Sequence, residues 1–112
     1  MVMERLFMEV LEQERTSAVI FGTDGTILYM NPAAHGVYER HGSYDMIGRK
    51  FMDYHPQDTC RKIELAERWL QDDEDNDEIE LFYSDSPDRI VRILALRDDD
   101  GKVIGYCERY VE

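Results

Sequence analysis

The first fifteen residues carry an apolar stripe at helical spacing. The positions i, i+3, i+4, i+7 and i+8 are filled by Met3, Leu6, Phe7, Val10 and Leu11. This is the pattern of one face of an amphipathic helix. A helix this short is marginal alone. The stripe must therefore pack on something, either a sheet face of the same chain or a second copy of the chain.

The next segment predicts a β-hairpin followed by a short helix. Residues 18–22 are apolar and β-prone, the pair Asp24-Gly25 is a strong turn signal, and residues 26–30 resume the strand. The pair Asn31-Pro32 then ends the strand and opens a helix over residues 32–38. Residues 39–56 are punctuated by glycine and proline, so we expect irregular structure there with one helical turn at 44–47.

A longer helix is predicted over residues 57–71. One apolar face of this segment is formed by Cys60, Ile63, Ala66, Trp69 and Leu70. The acidic run at 72–78 that follows predicts a solvated loop, since carboxylates at a helix C-terminus oppose the macrodipole.

The last third of the chain predicts three strands. Apolar residues alternate with glutamates at Ile79, Leu81 and Tyr83, which indicates a strand with one buried face. After a turn at 84–88, residues 89–97 are apolar on both faces, as is typical of a central strand. A turn signal at 98–101 and the segment 102–111 complete a final hairpin.

This order of elements predicts an α+β fold with a five-stranded antiparallel sheet. The helices between the second and third strands cover one face, and the N-terminal helix is expected on the other, against Ile90, Leu94 and Leu96. A missing side chain at Gly105 would leave room for a ligand or a close backbone; a plain packed core is the alternative. The expected inner wall is Ile79, Leu81, Tyr83, Val91, Ile93, Ala95, Val103, Gly105 and Cys107, faced by Ile63, Ala66 and Trp69.

Three stretches of this sequence, in this order, resemble a PAS domain. They are the hairpin entering a helix at 23–34, the Asp-Met-Ile-Gly-Arg-Lys run at 45–50, and the final hairpin at 97–105. The resemblance covers residues 16–111. It indicates a PAS-like fold, with residues 1–15 as a flanking, dimerising helix and residues 16–112 as the PAS domain.

The resemblance implies a signal-transduction sensor with a pocket between the sheet and the long helix. Such a pocket holds haem, flavin, a small metabolite or only side chains. A ligand-free interaction or dimerisation module is therefore the alternative function. The residues expected to contact a ligand are Tyr54, His55, Ile63, Trp69, Tyr83, Val91, Ile93, Gly105 and Cys107.

A narrower resemblance is to PAS domains attached to hemerythrin-related bacterial proteins. It rests on Tyr54-His55-Pro56, where those domains typically carry Cys-His-Pro, so any role of that thiol does not transfer. The photosensory flavin subgroup is a poorer match, because Phe51 stands where its reactive cysteine would be. The cofactor is therefore left unknown, with haem open and flavin disfavoured.

His55 is the candidate haem ligand, as a neutral proximal imidazole, and Tyr54 beside it is a candidate phenolate ligand. The alternatives are a histidine that caps the helix entry and one that contacts another ligand. His35 and His41 are expected at the surface. Asp53 lies two residues before His55, but no nucleophile is positioned beside them, so we expect no enzyme.

Charge and cysteine content limit the partners. The net charge of −12 disfavours nucleic acid and anionic membranes, and no segment is apolar enough to span a bilayer. Cys60 and Cys107 form no metal-binding or redox motif, and their presence fits a reducing cytoplasm. We expect a homodimer through the N-terminal helix. The output would lie on a separate protein or on a missing domain.

Overall fold

A computed structural model describes residues 2–111. The helices are α1 (Val2–Gln13), α2 (Pro32–Val37) and α3 (Gln57–Asp72), with short 3-10 turns at Glu39–His41, Ser43–Met46 and Phe51–Tyr54. The strands are β1 (Ala18–Gly22), β2 (Ile27–Met30), β3 (Glu78–Tyr83), β4 (Ser86–Arg97) and β5 (Val103–Val111). Met1 and Glu112, the ends of the two expected domains, lie outside the described residues.

The five strands form one antiparallel sheet in the order β2-β1-β5-β4-β3. The two chain-terminal hairpins therefore meet in the middle, where β5 pairs with both β1 and β4. The helices between β2 and β3 cover one face, called here the inner face, and the opposite face is called the outer face. The expected α+β class and PAS-like sheet are confirmed.

Local chemistry explains how the first hairpin leads into α2. Gly25 adopts a φ of 87° in the β1–β2 turn, a conformation that favours glycine. The Asp24 carboxylate accepts a 2.9 Å hydrogen bond from the Thr26 backbone N–H in the same turn. Asn31 caps α2 by accepting from the Ala34 backbone N–H at 3.0 Å, and Pro32 takes the first helical position.

The long helix α3 packs a narrower face than its apolar pattern predicts. Thr59, Ile63, Ala66 and Leu70 are buried, but Trp69 is 42% exposed. At roughly 100° per residue, Trp69 lies at the edge of the face centred on Ile63 and Leu70. The expectation that Trp69 faces the sheet is therefore wrong.

The end of α3 is held by Arg97 of β4. Its guanidinium donates to the backbone oxygens of Leu70 at 2.6 Å, Asp73 at 3.1 Å and Asn76 at 3.0 Å. A second nitrogen donates to the Gly101 oxygen at 2.8 Å. Because the last carbonyls of a helix lack internal partners, this arginine ties the helix end and the acidic loop to the sheet.

A register shift between Leu96 and Arg97 changes which residues of β5 face inward. In the register, Leu96 opposes Gly105 while Arg97 opposes Val103, so β5 holds one extra residue. Val103 is inward as expected, but Gly105 and Cys107 lie on the outer face with Leu94 and Leu96. The expected inward orientation of Gly105 and Cys107 is wrong because one bulge inverts the two-residue alternation.

The apolar stripe of the N-terminal helix does not pack against the sheet of its own chain. Met3, Leu6, Phe7 and Val10 are between 54% and 66% exposed. The expected contact with the outer face at Ile90, Leu94 and Leu96 is therefore wrong within one chain. Instead, α1 is held at its C-terminal end. Within residues 2–111, no helix combines the length and apolar character that crossing a bilayer requires.

Candidate functional site

A carboxyl group is fully buried at the middle of the inner face. Glu108 of β5 is 0% exposed. The Tyr38 hydroxyl lies 2.8 Å and 2.9 Å from its two oxygens, and the Tyr83 hydroxyl donates to Oε2 at 2.7 Å. A carboxylate in an apolar interior is stable only when its oxygens are hydrogen-bonded. The hydroxyl groups of Tyr38 and Tyr83 donate these hydrogen bonds.

Three separate elements bring this cluster together. Tyr38 follows the last residue of α2, Tyr83 ends β3, and Glu108 lies opposite Ile93 in the β4–β5 register. Tyr110, two residues further along β5, points to the same face and lies edge-on to Tyr83 with a centroid distance of 6.4 Å. The cluster therefore depends on the fold and has no local sequence motif.

Burial sets the protonation behaviour of the cluster. Removal from water raises the pKa of Glu108 to about 7, against the opposing effect of the Tyr83 and Tyr38 hydrogen bonds. Burial and the neighbouring Glu108 also raise the pKa of both tyrosines well above the ordinary value. Near neutral pH the tyrosines are protonated, and Glu108 is the member of this cluster that exchanges a proton.

The imidazole of His55 completes the cluster. Its Nε2 lies 3.5 Å from the Tyr38 hydroxyl, and its Nδ1 is buried with no hydrogen-bond partner among the described residues. Burial lowers the pKa of His55 to about 4, so the ring is neutral at pH 7. An unpaired buried nitrogen costs free energy. Nδ1 could therefore gain a hydrogen bond from a polar group placed beside it.

The packing around His55 does not fit a haem. Its ring is enclosed edge-to-face by Phe51 at 4.6 Å, Tyr83 at 5.1 Å and Tyr38 at 5.9 Å between centroids. A macrocycle bound through either ring nitrogen needs an open slot many times wider than one imidazole, and buried side chains fill that volume. Four clefts on the described surface are lined by other residues and not by His55.

The other expected ligand-contacting residues divide into two groups. Ile63, Tyr83, Val91 and Ile93 are buried in the core beneath the helices. Tyr54 is half-buried and packs edge-to-face on His41 at 5.8 Å. Their contact with a ligand stays a prediction. The rest lie away from the inner face: Trp69, Gly105 and Cys107.

The remaining histidines form no metal site. His35 is exposed and stacks on Tyr44 with a centroid distance of 4.8 Å, and it is hydrogen-bonded to Ser43. His41 is half-buried beside Tyr38 and Tyr54. In the part of the chain that the structure describes, no group of histidines, cysteines or carboxylates is placed to hold a metal ion.

Sequence reasoning missed Tyr38, Phe51 and Glu108 as members of the site. Phe51 stacks on Phe21 at 4.4 Å and lies edge-to-face on His55 at 4.6 Å between ring centroids. The available signal was the run Tyr106-Cys107-Glu108-Arg109-Tyr110, in which every second residue is large and polar-tipped. Alternation alone leaves two choices of inward face, and Gly105 favoured the wrong one.

Asn31 joins this inner site to the N-terminal helix. Its side chain is 0% exposed, and both the oxygen and the nitrogen of its amide form hydrogen bonds. Its oxygen accepts from the backbone N–H groups of Ala18 at 2.9 Å and Ala34 at 3.0 Å, and its nitrogen donates to the carbonyls of Leu11 at 3.2 Å and Thr16 at 3.0 Å. The helix that leads to Tyr38 therefore starts at the residue that holds the end of α1.

A second link runs through β5. Arg109, the residue after Glu108, forms an ion pair with Glu14 at 3.2 Å. The Tyr110 backbone N–H donates to the Ser17 oxygen at 3.0 Å. Both partners of the Tyr38–Glu108 hydrogen bond therefore lie on elements that fix the junction between α1 and β1.

Comparison with known proteins agrees with this architecture. A family model described as PAS fold matches residues 11–112. No curated protein matches the chain. A PAS domain from Colwellia psychrerythraea superposes with a TM-score of 0.70 at 12% identity, with 98% of this chain and 96% of that chain covered.

Two similar structures come from Vibrio cholerae. A sensory box sensor histidine kinase gives a TM-score of 0.65 at 13% identity, covering 97% of this chain and 91% of that chain. VqmA in a complex with ligand and DNA gives 0.68 at 15% identity, covering 96% of this chain and 50% of that chain. The expected exclusion of nucleic acid is thus unsupported. With a family model over most of its length, this chain belongs to the PAS fold family.

Proposed function

We propose that this chain is a sensory, non-catalytic module whose signal is a small molecule recognised at the inner-face cluster of Tyr38, His55, Tyr83 and Glu108. The observation that carries the proposal is a fully buried carboxyl whose Tyr38 partner also contacts the His55 imidazole, the other nitrogen of which has no partner among residues 2–111. For stability alone, well-packed apolar residues would serve as well as buried charged groups, or better. A polar group of a ligand would pair with His55 Nδ1 and exchange hydrogen bonds with Glu108.

The signal would leave the site through the junction with α1. A ligand that breaks the Tyr38–Glu108 hydrogen bond shifts the end of α2 or β5. Asn31 and Arg109 connect those elements to the last turn of α1 and the residues after it. The orientation of α1 would then differ between the ligand-free and the ligand-bound protein.

A thermal-shift screen of small polar metabolites tests the proposal. A ligand at 100 times its dissociation constant adds about 2.7 kcal/mol of stability, which is a shift of several degrees for a domain of this size. The variant Glu108→Gln should reduce that shift, and Leu65→Gln, on the exposed side of α3, should leave it unchanged. A hit that stabilises all three proteins equally would contradict recognition at the cluster.

The second candidate is a ligand-free interaction module. The observation that favours it is the tight aromatic enclosure of His55, which leaves the inner face filled by side chains. In that case no compound of the screen shifts the melting temperature. Haem ligated by His55 is not proposed, and after reconstitution and removal of unbound haem the protein should show no Soret band.

Several finer assignments remain proposals from the sequence. We propose residues 1–15 as a separate flanking helix that mediates a homodimer and residues 16–112 as the PAS domain. The exposed apolar stripe of α1 supports the dimer. The narrower relation to PAS domains of hemerythrin-related proteins rests on Tyr54-His55-Pro56 alone. A cytoplasmic location rests on composition.

A further inference from the structure

We infer that the free edge of β3 binds an extended basic segment of another protein, which joins the sheet as an additional antiparallel strand. This surface lies outside the inner-face cluster, so the inference does not depend on a ligand there. Strand β3 is one border of the sheet and β2 is the other. The two borders differ in what covers their backbone groups.

The border at β2 is covered by the chain itself. The Ile27 backbone N–H donates to the Arg49 oxygen at 2.8 Å, and the Gly48 N–H donates to the Ile27 oxygen at 2.8 Å. A bridge between Thr26 and Lys50 extends this contact. Such cover protects an edge strand from pairing with another chain.

The border at β3 turns the backbone groups of three residues away from the sheet. The Asp77 oxygen accepts from the Ala95 backbone N–H at 2.9 Å, so the peptide groups of Asp77 point at β4. Because this direction alternates along a strand, Glu78, Glu80 and Phe82 point their backbone groups outward. In the described part of the chain, the backbone hydrogen bonds formed outside the strands and helices involve none of these three residues.

The helix α3 adds an apolar surface above this border. Lys62 Nζ donates to the outward Phe82 oxygen at 2.7 Å, and the Asn76 side chain donates to the Trp69 oxygen at 2.7 Å, so the helix lies alongside β3. Lys62, Leu65 and Trp69 share one stripe at spacing i, i+3, i+7, called here the α3 rim. Leu65 is 55% and Trp69 42% exposed. The rim therefore leaves apolar surface beside the open backbone groups.

Alternation along β3 defines the side chains that a partner needs. Ile79 and Leu81 are half-buried on the inner face, whereas Glu78 and Glu80 are exposed on the outer face. Side chains of an added antiparallel strand lie directly opposite those of β3. Residues of the partner on the inner face would contact the α3 rim and should be apolar. Those on the outer face would lie opposite the glutamates and should be basic.

Charge favours a basic partner over a second copy of this chain. The acidic run at 72–78 leads into β3, and the ion pairs found among residues 2–111 involve none of its carboxylates. Arg92 pairs with Glu80 at 3.0 Å, but an exposed pair contributes little. Pairing of two β3 strands would bring glutamates of both copies together, and like charges across strands are unfavourable.

Tryptophan fluorescence of the full chain tests the inference with a designed peptide. Trp69 is the single tryptophan of the chain and belongs to the α3 rim, so its emission reports contact there. The probe is a blocked peptide of alternating lysine and valine that is as long as β3. We expect saturable binding with a shift of the emission to shorter wavelength. No saturable change up to about 1 mM peptide would overturn the inference.

Peptide controls separate strand addition from general charge attraction. In an antiparallel strand whose lysines lie opposite the glutamates, the lysine backbone N–H groups point at β3 and the valine N–H groups point away. Methylation of the lysine backbone nitrogens should therefore weaken binding at least about 30-fold, whereas methylation of the valine nitrogens should change it less than about threefold. Equal losses would overturn strand addition, as would equal binding of a peptide with lysines and valines in separate blocks.

Variants of the protein locate the contact. Glu78→Lys should weaken peptide binding about tenfold because it places a lysine opposite a lysine, and Leu65→Gln about fivefold because it removes apolar contact. Matched controls are Glu4→Lys on α1 and Ile104→Gln at an exposed position of β5, and both should bind the peptide as the wild type does. Equal losses in the controls and the edge variants would overturn the assignment to β3.

The outcomes are separable from those for the inner-face cluster. Leu65→Gln should weaken binding of the peptide and leave the small-molecule thermal shift unchanged, whereas Glu108→Gln should do the reverse. A small-molecule screen without a hit would contradict the sensing proposal alone. Failure of the alternating peptide to bind would contradict strand addition at β3 alone.

Discussion

The inner and outer sides of this domain depart from the usual distribution of polarity in opposite directions. The inner face buries the carboxyl of Glu108 completely, whereas Phe7 on α1 is 63% exposed. Carboxyl groups are rarely fully buried, and a contiguous exposed apolar surface usually marks an interaction site. The inner departure is satisfied within the chain by Tyr38 and Tyr83, while the apolar stripe of α1 stays exposed.

The inner cluster and the helix stripe therefore contribute to stability in different ways. The inner cluster is complete in one chain, so changes there should act on folding. The helix stripe contributes little to the fold of one chain, so changes there should act on association. Four measurements of the free energy of unfolding, taken at low protein concentration, test whether the inner cluster stabilises the fold more than the stripe does.

The largest effect is expected for Phe51→Ala. This ring stacks on Phe21 and encloses His55, and its loss should cost about 3 to 5 kcal/mol. The matched change Phe7→Ala should cost less than about 0.5 kcal/mol, since exposed positions contribute little to folding. Urea denaturation measures both. Equal costs would contradict the contrast; Phe51→Leu is the milder variant if Phe51→Ala does not fold.

The pH dependence of Glu108 comes next. Because its pKa is about 7 when folded and 4.5 as the ordinary value, the folded state binds more protons between these values. Stability therefore falls as pH rises through that interval, by about 3 kcal/mol for this group. The lowered pKa of His55 works in the opposite direction between about 4 and 6.5, so the wild-type profile alone conceals the effect.

Comparison with Glu108→Gln isolates the contribution of Glu108 to the pH dependence of stability. The stability of this variant minus that of the wild type should increase by up to about 3 kcal/mol from pH 5 to pH 8, measured by urea denaturation at each pH. His55 is present in both proteins and its contribution cancels. A difference that stays flat over this range would show that Glu108 titrates as an exposed carboxyl does.

Asn31→Ala tests the junction between the two regions. It leaves the buried backbone N–H groups of Ala18 and Ala34 without partners, and we expect a loss of about 2 to 3 kcal/mol. Asn76→Ala is the control, because its side chain makes one exposed hydrogen bond, to the Trp69 carbonyl. If the two variants lose equal stability, Asn31 does not hold the junction.

The smallest effect is expected for Tyr83→Phe. It removes one of the hydrogen bonds to Glu108 and should cost about 1 to 2 kcal/mol at pH 8. Tyr44→Phe, at a position 47% exposed, should change stability by less than about 0.5 kcal/mol. Chemical denaturation of both variants measures the difference, and a neutral Tyr83→Phe would mean that the hydroxyl is not needed in the cluster.

Much of the fold could be predicted because its signals are local. Strand β1 has the predicted bounds, and the turn at Asp24-Gly25 and the cap at Asn31-Pro32 act within a few residues. The alternation along β3 and β4 assigns their inward residues correctly. Strand β4 begins earlier than predicted, at Ser86, because pairing with Tyr83 extends it through the expected turn.

The site was predicted less well because it depends on contacts between distant residues. His55 was predicted as a site residue and lies in the cluster, but the hydrogen bond between Tyr38 and Glu108 was not predicted, since these residues are 70 positions apart. The expectation about Gly105 and Cys107 failed because a single extra residue in β5 reverses the alternation, and nothing local marks the bulge. Trp69 lies at the edge of the buried face of α3, where periodicity alone does not decide burial.

The sequence by itself determined the elements, their order and the amphipathic character of α1, because hydrophobic periodicity, turns and caps act over a few residues. The three-dimensional fold was needed to show which face of β5 is buried, that Glu108 contacts two tyrosines, and that the apolar stripe of α1 stays exposed. Those outcomes depend on register and on competition between long-range contacts. A stripe of apolar residues requires a partner surface but does not say which one.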